Sequence, residues 1–372
     1  MKTMQAIVLS ALVESTSAAT AATYVYVSNN EDGDIGVYTL QADGSLVPGA
    51  RVPAAGKVVM PMTVSPDKRF LVAAVRSKPF VAQSFSIDRA SGALKPVSTG
   101  TLHESFPYLR FDRSGRYLLG ASYGANLVSV NAFGKLDGKV SEPKQVIPTA
   151  RNAHAIITDN TNRYVFVPHL GTDQVFQFKL DTRAGKLTAN TPPVVQMKTG
   201  SGPRHIIMSR DNKFAYLLNE LTATVTTLSL DATTGLLTEV SSASALPADS
   251  KLVPGGPRPT PGRDTSNDIW ASDLHLTPDG KFLYAAERTS SSLGAFSVDG
   301  ATGKLTYLSS TPTEKQPRGF AIEPKGRYMI VSGEKSDTIS VYSIDAASGA
   351  LALLQKYPTG KGSNWVEIVS FD

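Results

Sequence analysis

Two charged residues, Arg204 and Glu220, stand sixteen positions apart and enclose a pattern of strand, tight turn and strand. The polar residues 210–213 form the turn, and apolar runs lie on both sides of it. A hairpin returns to the level where it began, so we expect the two side chains to lie close together at one rim. An arginine binds carboxylate or phosphate through its planar fork, and a carboxylate can move protons when its surroundings keep its pKa in a useful range. The pair therefore indicates acid–base chemistry on a small anionic molecule.

The hairpin that carries this pair recurs along the chain. In each copy a turn is followed by an aromatic residue that opens the second strand. These aromatic anchors are Tyr24, Phe70, Tyr117, Tyr164, Phe214, Phe282 and Tyr328. Their spacings are 46, 47, 47, 50, 68 and 46 residues, and a period of about 40–50 residues is typical of propeller blades. We therefore predict an all-β fold, a seven-bladed β-propeller with four-stranded antiparallel blades.

The two ends of the chain are expected to complete one blade together. The first anchor, Tyr24, has no inner strand before it in the repeat, and residues 364–371 have a strand pattern that would supply it. The C-terminal strand would then join the N-terminal blade and close the ring, which removes an open sheet edge. We therefore predict that residues 23–372 form one domain.

The first 22 residues have no place in the repeat. Lys2 precedes the apolar run Ala6–Val13, and a small-x-small site follows at Ala19–Ala21. This order is typical of a secretory signal peptide and predicts a periplasmic protein. The alternative is a disordered or helical extension, and a cytoplasmic location stays open.

The longest spacing, between Phe214 and Phe282, contains about twenty extra residues that include a proline-rich run at 252–263. No strand can continue through so many prolines. We predict a loop over one face of the propeller, with Arg258 and Arg263 as candidate substrate contacts. The alternative is a solvated insertion without a role.

Composition and missing motifs exclude several classes of function. The net charge is +5 and the pI is near 9.1, but the positive charges are scattered and form no basic stripe, so we expect no nucleic-acid partner. No run of eighteen apolar residues is present, so we expect no membrane span. The chain has no cysteine and none of the familiar metal, phosphate-loop, dinucleotide or serine-hydrolase motifs. We expect a metal-free, cofactor-free protein that acts on a small anionic molecule, as a monomer or a weak homodimer.

The repeat places more polar side chains at the level of the first pair, ten residues before or six residues after an anchor. This rim comprises Arg76, His154, Arg204, Glu220, Arg288, Arg318 and Glu334, with His169, His205, Asp273 and His275 nearby. Charged groups that converge on one concavity usually mark a site. Structural alternatives remain open for some of them: His205 and His275 as hydrogen-bonded packing residues, His169 as a turn cap, and Asp273 with Arg318 as an ion pair between blades.

Four segments give the chain a resemblance to a known family. They are residues 202–205, 219–221, 270–289 and 316–320, which include Gly-Pro-Arg-His, Asn-Glu-Leu and Gln-Pro-Arg-Gly-Phe. Together they resemble the seven-bladed propeller lactonases, which include bacterial propeller-type 6-phosphogluconolactonases and fungal carboxy-muconate lactonizing enzymes. The resemblance covers residues 23–372. It implies a metal-free enzyme whose catalytic cluster falls on His154, Arg204, Glu220 and Arg288.

The expected activity is hydrolysis of a sugar lactone, either 6-phosphogluconolactone or a related aldonolactone. Arg204 and Arg288 would hold the anionic substituent and stabilise the charge that develops on the carbonyl oxygen. Glu220 or His154 would be the general base and the other the general acid, and the sequence leaves that choice open. The candidate substrate-binding residues are Arg76, His169, His205, Asp273, His275 and Arg318. Two other functions remain open, a muconate-type lactonizing isomerase and a propeller that binds without turnover.

Overall fold

The computed structural model describes residues 22–256 and 262–371, and every regular element in this part of the chain is a β-strand. The strands form seven antiparallel sheets of four strands each. The prediction of a seven-bladed β-propeller is therefore confirmed. Within the same residues there is no helix long and apolar enough to cross a membrane.

Each blade runs from an inner strand at the central channel to an outer strand at the periphery. Blade 1 contains β1 (Ala22–Asn29), β2 (Asp34–Leu40) and β3 (Leu46–Pro53). Blade 2 contains β4 (Val59–Val64), β5 (Phe70–Val75), β6 (Val81–Ile87) and β7 (Leu94–Thr101). Blade 3 contains β8 (Tyr108–Phe111), β9 (Tyr117–Ser122), β10 (Leu127–Phe133) and β11 (Val140–Pro148). Blade 4 contains β12 (Ile157–Thr158), β13 (Tyr164–His169), β14 (Gln174–Asp181) and β15 (Lys186–Gln196).

The remaining blades follow the same order. Blade 5 contains β16 (Pro203–Met208), β17 (Phe214–Asn219), β18 (Thr224–Leu230) and β19 (Leu237–Ser244). Blade 6 contains β20 (Ala271–Leu276), β21 (Phe282–Glu287), β22 (Ser292–Val298) and β23 (Leu305–Pro312). Blade 7 contains β24 (Pro317–Ile322), β25 (Tyr328–Gly333), β26 (Thr338–Ile344) and β27 (Leu351–Pro358). The last strand, β28 (Ser363–Phe371), belongs to blade 1.

The ring closes where the last strand meets the first. β28 pairs antiparallel with β1 and becomes the inner strand of blade 1, as the sequence predicts. The hydroxyls of Thr23 and Ser370 are 2.7 Å apart across this pair. The rings of Tyr24 and Phe371 also pack with their centroids 6.1 Å apart. Both ends of the described chain are therefore held within one sheet.

The aromatic anchors join neighbouring blades. The hydroxyl of Tyr117 in blade 3 donates to the carbonyl of Arg183 in blade 4 at 3.0 Å. Its ring lies over Gly185, where an added Cβ would come within 2.2 Å of the ring, and where φ is +66°. Only glycine fits such a turn without strain, because it has no Cβ and tolerates positive φ. The repeated aromatic residue and the repeated Gly turn are thus two halves of one contact between blades.

The second strand of five of the blades is buried along its whole length by its neighbours. All six residues of β5, β9, β13, β17 and β21 are buried. Apolar side chains fill these positions almost throughout, so the polar residues that end or follow the strands are conspicuous. Glu220 directly follows β17, and Arg288 directly follows β21.

The long connection between β19 and β20 contains no strand in its described residues, 245–256 and 262–270, although Val253 and Asp268 form a single bridge. Arg263 forms an ion pair with Asp268 at 2.6 Å. The other predicted loop contact, Arg258, lies outside the described residues, and so does the predicted leader, apart from Ala22 at the start of β1.

Candidate active site

One mouth of the channel opens into a cavity of about 520 Å³, which we call the first cavity. Its wall includes His154, Glu220, Arg288, Arg76 and Arg318. Each of these five side chains lies at or next to the end of an inner or second strand, and each comes from a different blade. The repeat therefore brings together residues from positions 76 to 318, as the predicted rim requires.

Glu220 is the point at which the charges meet. Its Oε2 lies 2.7 Å from Nε of Arg204 and 3.3 Å from Nη2 of Arg288. Its Oε1 accepts a hydrogen bond of 2.7 Å from the indole Nε1 of Trp270. The contact with Arg204 is an ion pair whose N–H direction does not make a hydrogen bond, so both atoms retain hydrogen-bonding capacity.

Arg288 is fixed in place by Trp270 and the chain next to it. Its guanidinium carbon lies 4.1 Å from the centre of the indole ring, a cation–π contact. Its Nε and Nη2 donate to the carbonyls of Trp270 and Ala271 at 3.0 and 3.2 Å. Glu287, which is 1% exposed, accepts a 2.6 Å hydrogen bond from the Trp270 backbone N–H. Sequence reasoning did not assign a role to Trp270, although its place directly before an inner strand was a usable signal.

The electrostatic surroundings keep both Glu220 and Arg204 charged. Burial acts to raise the pKa of Glu220, but Arg288, Arg204 and the Trp270 hydrogen bond outweigh it and hold the pKa below its ordinary value. Burial lowers the pKa of Arg204 to about 9, which still leaves it cationic at neutral pH. The first cavity therefore contains a carboxylate that is held between two guanidinium groups.

His154 is a neutral histidine in the wall of the first cavity. Burial, followed by the positive charge of Arg204 and the nearby His205 and Arg318, lowers its pKa well below 6.5. Its ring packs edge-on against Tyr123 and His205, with centroids 5.5 and 5.4 Å apart. Its buried Nδ1 has no hydrogen-bond partner among the described residues. A neutral imidazole with an unpaired nitrogen can accept a proton.

The wall of the first cavity carries a surplus of positive charge. Among the described residues, four cationic side chains line it, Arg76, Arg288, Lys315 and Arg318. Three carboxylates line it, Glu220, Asp268 and Glu334, and each contacts an arginine. The same part of the chain contains no group of three or more His, Asp or Glu residues placed to hold a metal ion. The predicted loop takes part in the wall through residues 255, 256, 265, 266 and 268–270.

The structure does not bring all the predicted substrate-binding residues into this cavity. His205, Asp273 and His275 line a second cavity of about 360 Å³, which we call the second cavity. Its wall also includes Pro66 and Arg113, from hairpin turns at the opposite end of the blades. The inner strands run along the channel and rise about 3.3 Å per residue, so residues farther along a strand lie nearer the other mouth.

The alternatives for the other candidates also have clear outcomes. His169 lines neither cavity: its Nδ1–H donates to the Val167 carbonyl at 2.9 Å, and its ring packs on Phe176 at 4.3 Å. Asp273 and Arg318 form no ion pair in the described structure. Asp273 contacts two histidines, and Arg318 lies 3.5 Å from Glu334.

Three buried histidines predict how stability depends on pH. The pKa of His154 is well below 6.5, and burial lowers the pKa values of His169 and His205 to about 4. An unfolded histidine takes up a proton near pH 6.5, whereas these folded ones do not. Their contribution is complete above pH 6.5 and is lost as pH falls towards 4, by at most about 4 kcal/mol per pH unit for three protons.

We therefore expect the urea concentration at the midpoint of unfolding to be lower at pH 5 than at pH 7.5. Most carboxylates of the unfolded chain stay ionised over this range. Replacing His169 with Phe should reduce the change in the free energy of unfolding per pH unit by about one third, because one of the three histidines is removed. Equal midpoints at the two pH values would contradict the neutral state of these histidines.

The sequence matches the family described as "Lactonase, 7-bladed beta-propeller" over residues 21–368. The 6-phosphogluconolactonase of Serratia proteamaculans is 39% identical over 299 residues, which cover 80% of this chain and 84% of that protein. The 6-phosphogluconolactonase of Pectobacterium carotovorum is 37% identical over 299 residues, with the same coverage. Among solved structures, the periplasmic gluconolactonase PpgL of Pseudomonas aeruginosa is similar with a TM-score of 0.82 and 28% identity, over 94% of this chain and 99% of that one. The predicted resemblance is confirmed, and this chain belongs to the seven-bladed β-propeller lactonase family of enzymes.

Proposed function

We propose that the first cavity hydrolyses a sugar lactone to its open-chain acid without a metal ion. The proposal depends on one observation. The neutral imidazole of His154 lines the same cavity as the Glu220 carboxylate, which lies between the guanidinium groups of Arg204 and Arg288. Ester hydrolysis needs a proton acceptor for water and positive charge near the carbonyl oxygen. The cavity supplies both from side chains of this chain alone.

In the proposed reaction, His154 takes a proton from water as the water oxygen attacks the lactone carbonyl carbon. Negative charge develops on the carbonyl oxygen next to Arg288, and Arg204 adds positive charge from its buried position behind Glu220. The ring C–O bond then breaks, and the imidazolium returns the proton to the departing ring oxygen. The product is a hydroxy acid, and His154 is neutral again.

Glu220 has a positioning and electrostatic role in this scheme and is not the base. Its carboxylate oxygens are engaged by Arg204, Arg288 and the Trp270 indole, whereas Nδ1 of His154 has no hydrogen-bond partner among the described residues and can take the proton. By binding Arg204, Arg288 and the Trp270 indole at once, it sets where the positive charge lies. Preorganised charge of this kind needs no rearrangement during the reaction.

The substrate class follows from the surplus of positive charge on the wall. Arg76, Lys315 and Arg318 are cationic residues of the wall, with Arg318 next to Glu334, and they fit an anionic substituent such as a phosphate. The names of the relatives, 6-phosphogluconolactonase and gluconolactonase, support a six-carbon sugar lactone with or without that phosphate. The cationic wall favours the phosphorylated lactone, whereas the leader-like N-terminus and the periplasmic location of the Pseudomonas aeruginosa relative favour export and an unphosphorylated one. The mass of the mature chain shows whether the leader is removed.

The test is acid release in a pH-stat with glucono-δ-lactone and with 6-phosphoglucono-δ-lactone. We expect turnover far above spontaneous ring opening, unchanged by EDTA, and about 100-fold or more slower in His154→Gln, because general-base catalysis contributes about 10²–10⁴-fold. The ratio of kcat/KM for the two lactones decides whether the phosphate is recognised. Acid release at the rate of the buffer control with both lactones would refute the proposal.

A further inference from the structure

The guanidinium group of Arg204 lies between the two cavities and is 1% exposed. On one side its Nε is 2.7 Å from Glu220, in the ion pair that lacks hydrogen-bond geometry. On the other side its Nη1 is 3.0 Å from Nε2 of His205. Among residues 22–256 and 262–371, His205 is the one group that accepts a hydrogen bond from this guanidinium. Glu220 therefore attracts Arg204 without fixing its direction, and His205 supplies the direction.

The chemistry of the two groups assigns the His205 proton. A guanidinium has only donors, so Nε2 of His205 must be the acceptor and must carry no hydrogen. The proton of the neutral ring is therefore on Nδ1, which lies 2.9 Å from Oδ1 of Asp273 and donates to it. The ring is neutral at pH 7, because burial and Arg204 lower its pKa to about 4.

Asp273 is itself held by the backbone of two blades. Its Oδ1 accepts from the N–H of Leu274 at 3.0 Å, and its Oδ2 lies 3.4 Å from the N–H of Phe320 in blade 7. Its Oδ2 also lies 3.1 Å from Nε2 of His275 in the second cavity. The carboxylate thus has a fixed orientation, and it fixes the tautomer and orientation of an imidazole in blade 5.

We propose that His205 and Asp273 are positioning residues, which act through Arg204 to set the charge that faces the reacting carbonyl in the first cavity. The proposal rests on the proposed lactonase function and adds to it two residues that do not line the first cavity. The line of contacts runs from Glu220 through Arg204 and His205 to Asp273, so it reaches from one mouth of the channel to the other.

The expected size of the effect follows from geometry. Without an acceptor at His205, the Arg204 fork is free to turn within its ion pair with Glu220. A misplacement of about 1 Å in a catalytic group can lower the rate by about 100-fold. The change should appear in kcat, with KM within about threefold, because Arg204 does not line the cavity in which the substrate binds.

The experiment compares variants of His205 and Asp273 with a matched control in the pH-stat assay. His205→Phe keeps the ring but removes the acceptor, and His205→Gln offers an amide oxygen near the place of Nε2. Thr227→Val is the matched control: it removes a different buried hydrogen bond between blades 5 and 6, from Thr227 Oγ1 to the Gly303 carbonyl at 3.0 Å. If the role of His205 were only structural, His205→Phe and Thr227→Val would lower the melting temperature by similar amounts. Both variants would then keep the wild-type kcat.

We expect kcat to fall about 100-fold in His205→Phe, to recover to within about tenfold of wild type in His205→Gln, and to be unchanged in Thr227→Val. Asp273→Leu should match His205→Phe, whereas Asp273→Asn, which keeps an acceptor for Nδ1–H, should stay within about tenfold. A folded His205→Phe or Asp273→Leu protein with wild-type kcat would overturn the proposal.

A second readout does not depend on activity. Long-range ¹H–¹⁵N NMR of the wild-type protein at pH 7 should show His205 in the Nδ1–H tautomer, with the signal assigned by its loss in His205→Gln. An Nε2–H tautomer would overturn the positioning role whether or not turnover is seen. Wild-type protein with this tautomer but without lactone hydrolysis would instead refute the proposed function alone.

Discussion

Replacing Glu220 with Gln is expected to lower kcat for lactone hydrolysis by about 100- to 1,000-fold, the range for loss of one preorganised charge-stabilising group. The carboxylate is the common partner of Arg204, Arg288 and the Trp270 indole. A neutral amide leaves two guanidinium groups without a counter-charge, and its NH₂ group meets donors. The arginines should then separate, and the positive charge at the carbonyl oxygen is lost.

The measurement is kcat and KM in the pH-stat, with circular dichroism to show that the variant is folded. Glu239→Gln is the control, since Glu239 is exposed on the outer strand of the same blade. Survival of lactonase activity at near wild-type kcat in Glu220→Gln would remove Glu220 from the mechanism.

Deleting residues 363–372 is expected to abolish cooperative folding. This removes β28, the inner strand of blade 1, and exposes the whole edge of β1 that pairs with it from Ala22 to Asn29. The buried side chains of Val366, Val369 and Phe371 are lost as well, at about 1.5–3 kcal/mol of burial for each large apolar side chain. Domains of this kind are stable by only about 5–15 kcal/mol, so the loss is comparable with the total.

A matched pair of point variants tests the same idea without truncation. Val366 in β28 is 5% exposed, and Leu353 in the outer strand β27 is 51% exposed. Val366→Asp should lower the melting temperature strongly, because it buries an unpaired charge, whereas Leu353→Asp should change stability by no more than about 0.5 kcal/mol. A truncated protein that melts cooperatively at the full-length temperature would contradict the closing role of β28.

The fold could be predicted from the sequence because two long-range signals coincide. An aromatic anchor such as Tyr117 and a turn glycine such as Gly185 belong to different blades and make one contact. Each therefore recurs with the period of the blade. The strand at residues 364–371 indicated ring closure because it belongs to no complete blade at the end of the chain. The first blade lacks an inner strand of its own, and β28 supplies it.

The candidate site could be predicted only in part, because the repeat gives the height of a residue along the channel but not the direction of its side chain. His154, Glu220 and Arg288 lie at the height of the first cavity and line it. Arg204 and His205 are adjacent in the sequence, but the register of β16 shifts between Pro203 and His205. A bulge of this kind re-aims side chains.

The strand that carries Asp273 has the same irregularity. The register of β20 shifts between Ala271 and Leu274, so Asp273 faces the second cavity although it lies one residue from the height of the first. His275 lies two residues farther along the strand and closer to the second mouth. Neither bulge has a signature in the sequence.

The pairing of the first strand with the last has a consequence for how the protein is made. β1 leaves the ribosome long before β28 is made: more than 330 residues separate Asn29 from Ser363, and elongation at roughly 5–20 residues per second needs tens of seconds to translate them. Throughout that interval the nascent chain carries one incomplete sheet with an unsatisfied edge. Completion of the native ring therefore waits until β28 has been made, which leaves a window for chaperones to hold the chain before β1 and β28 pair.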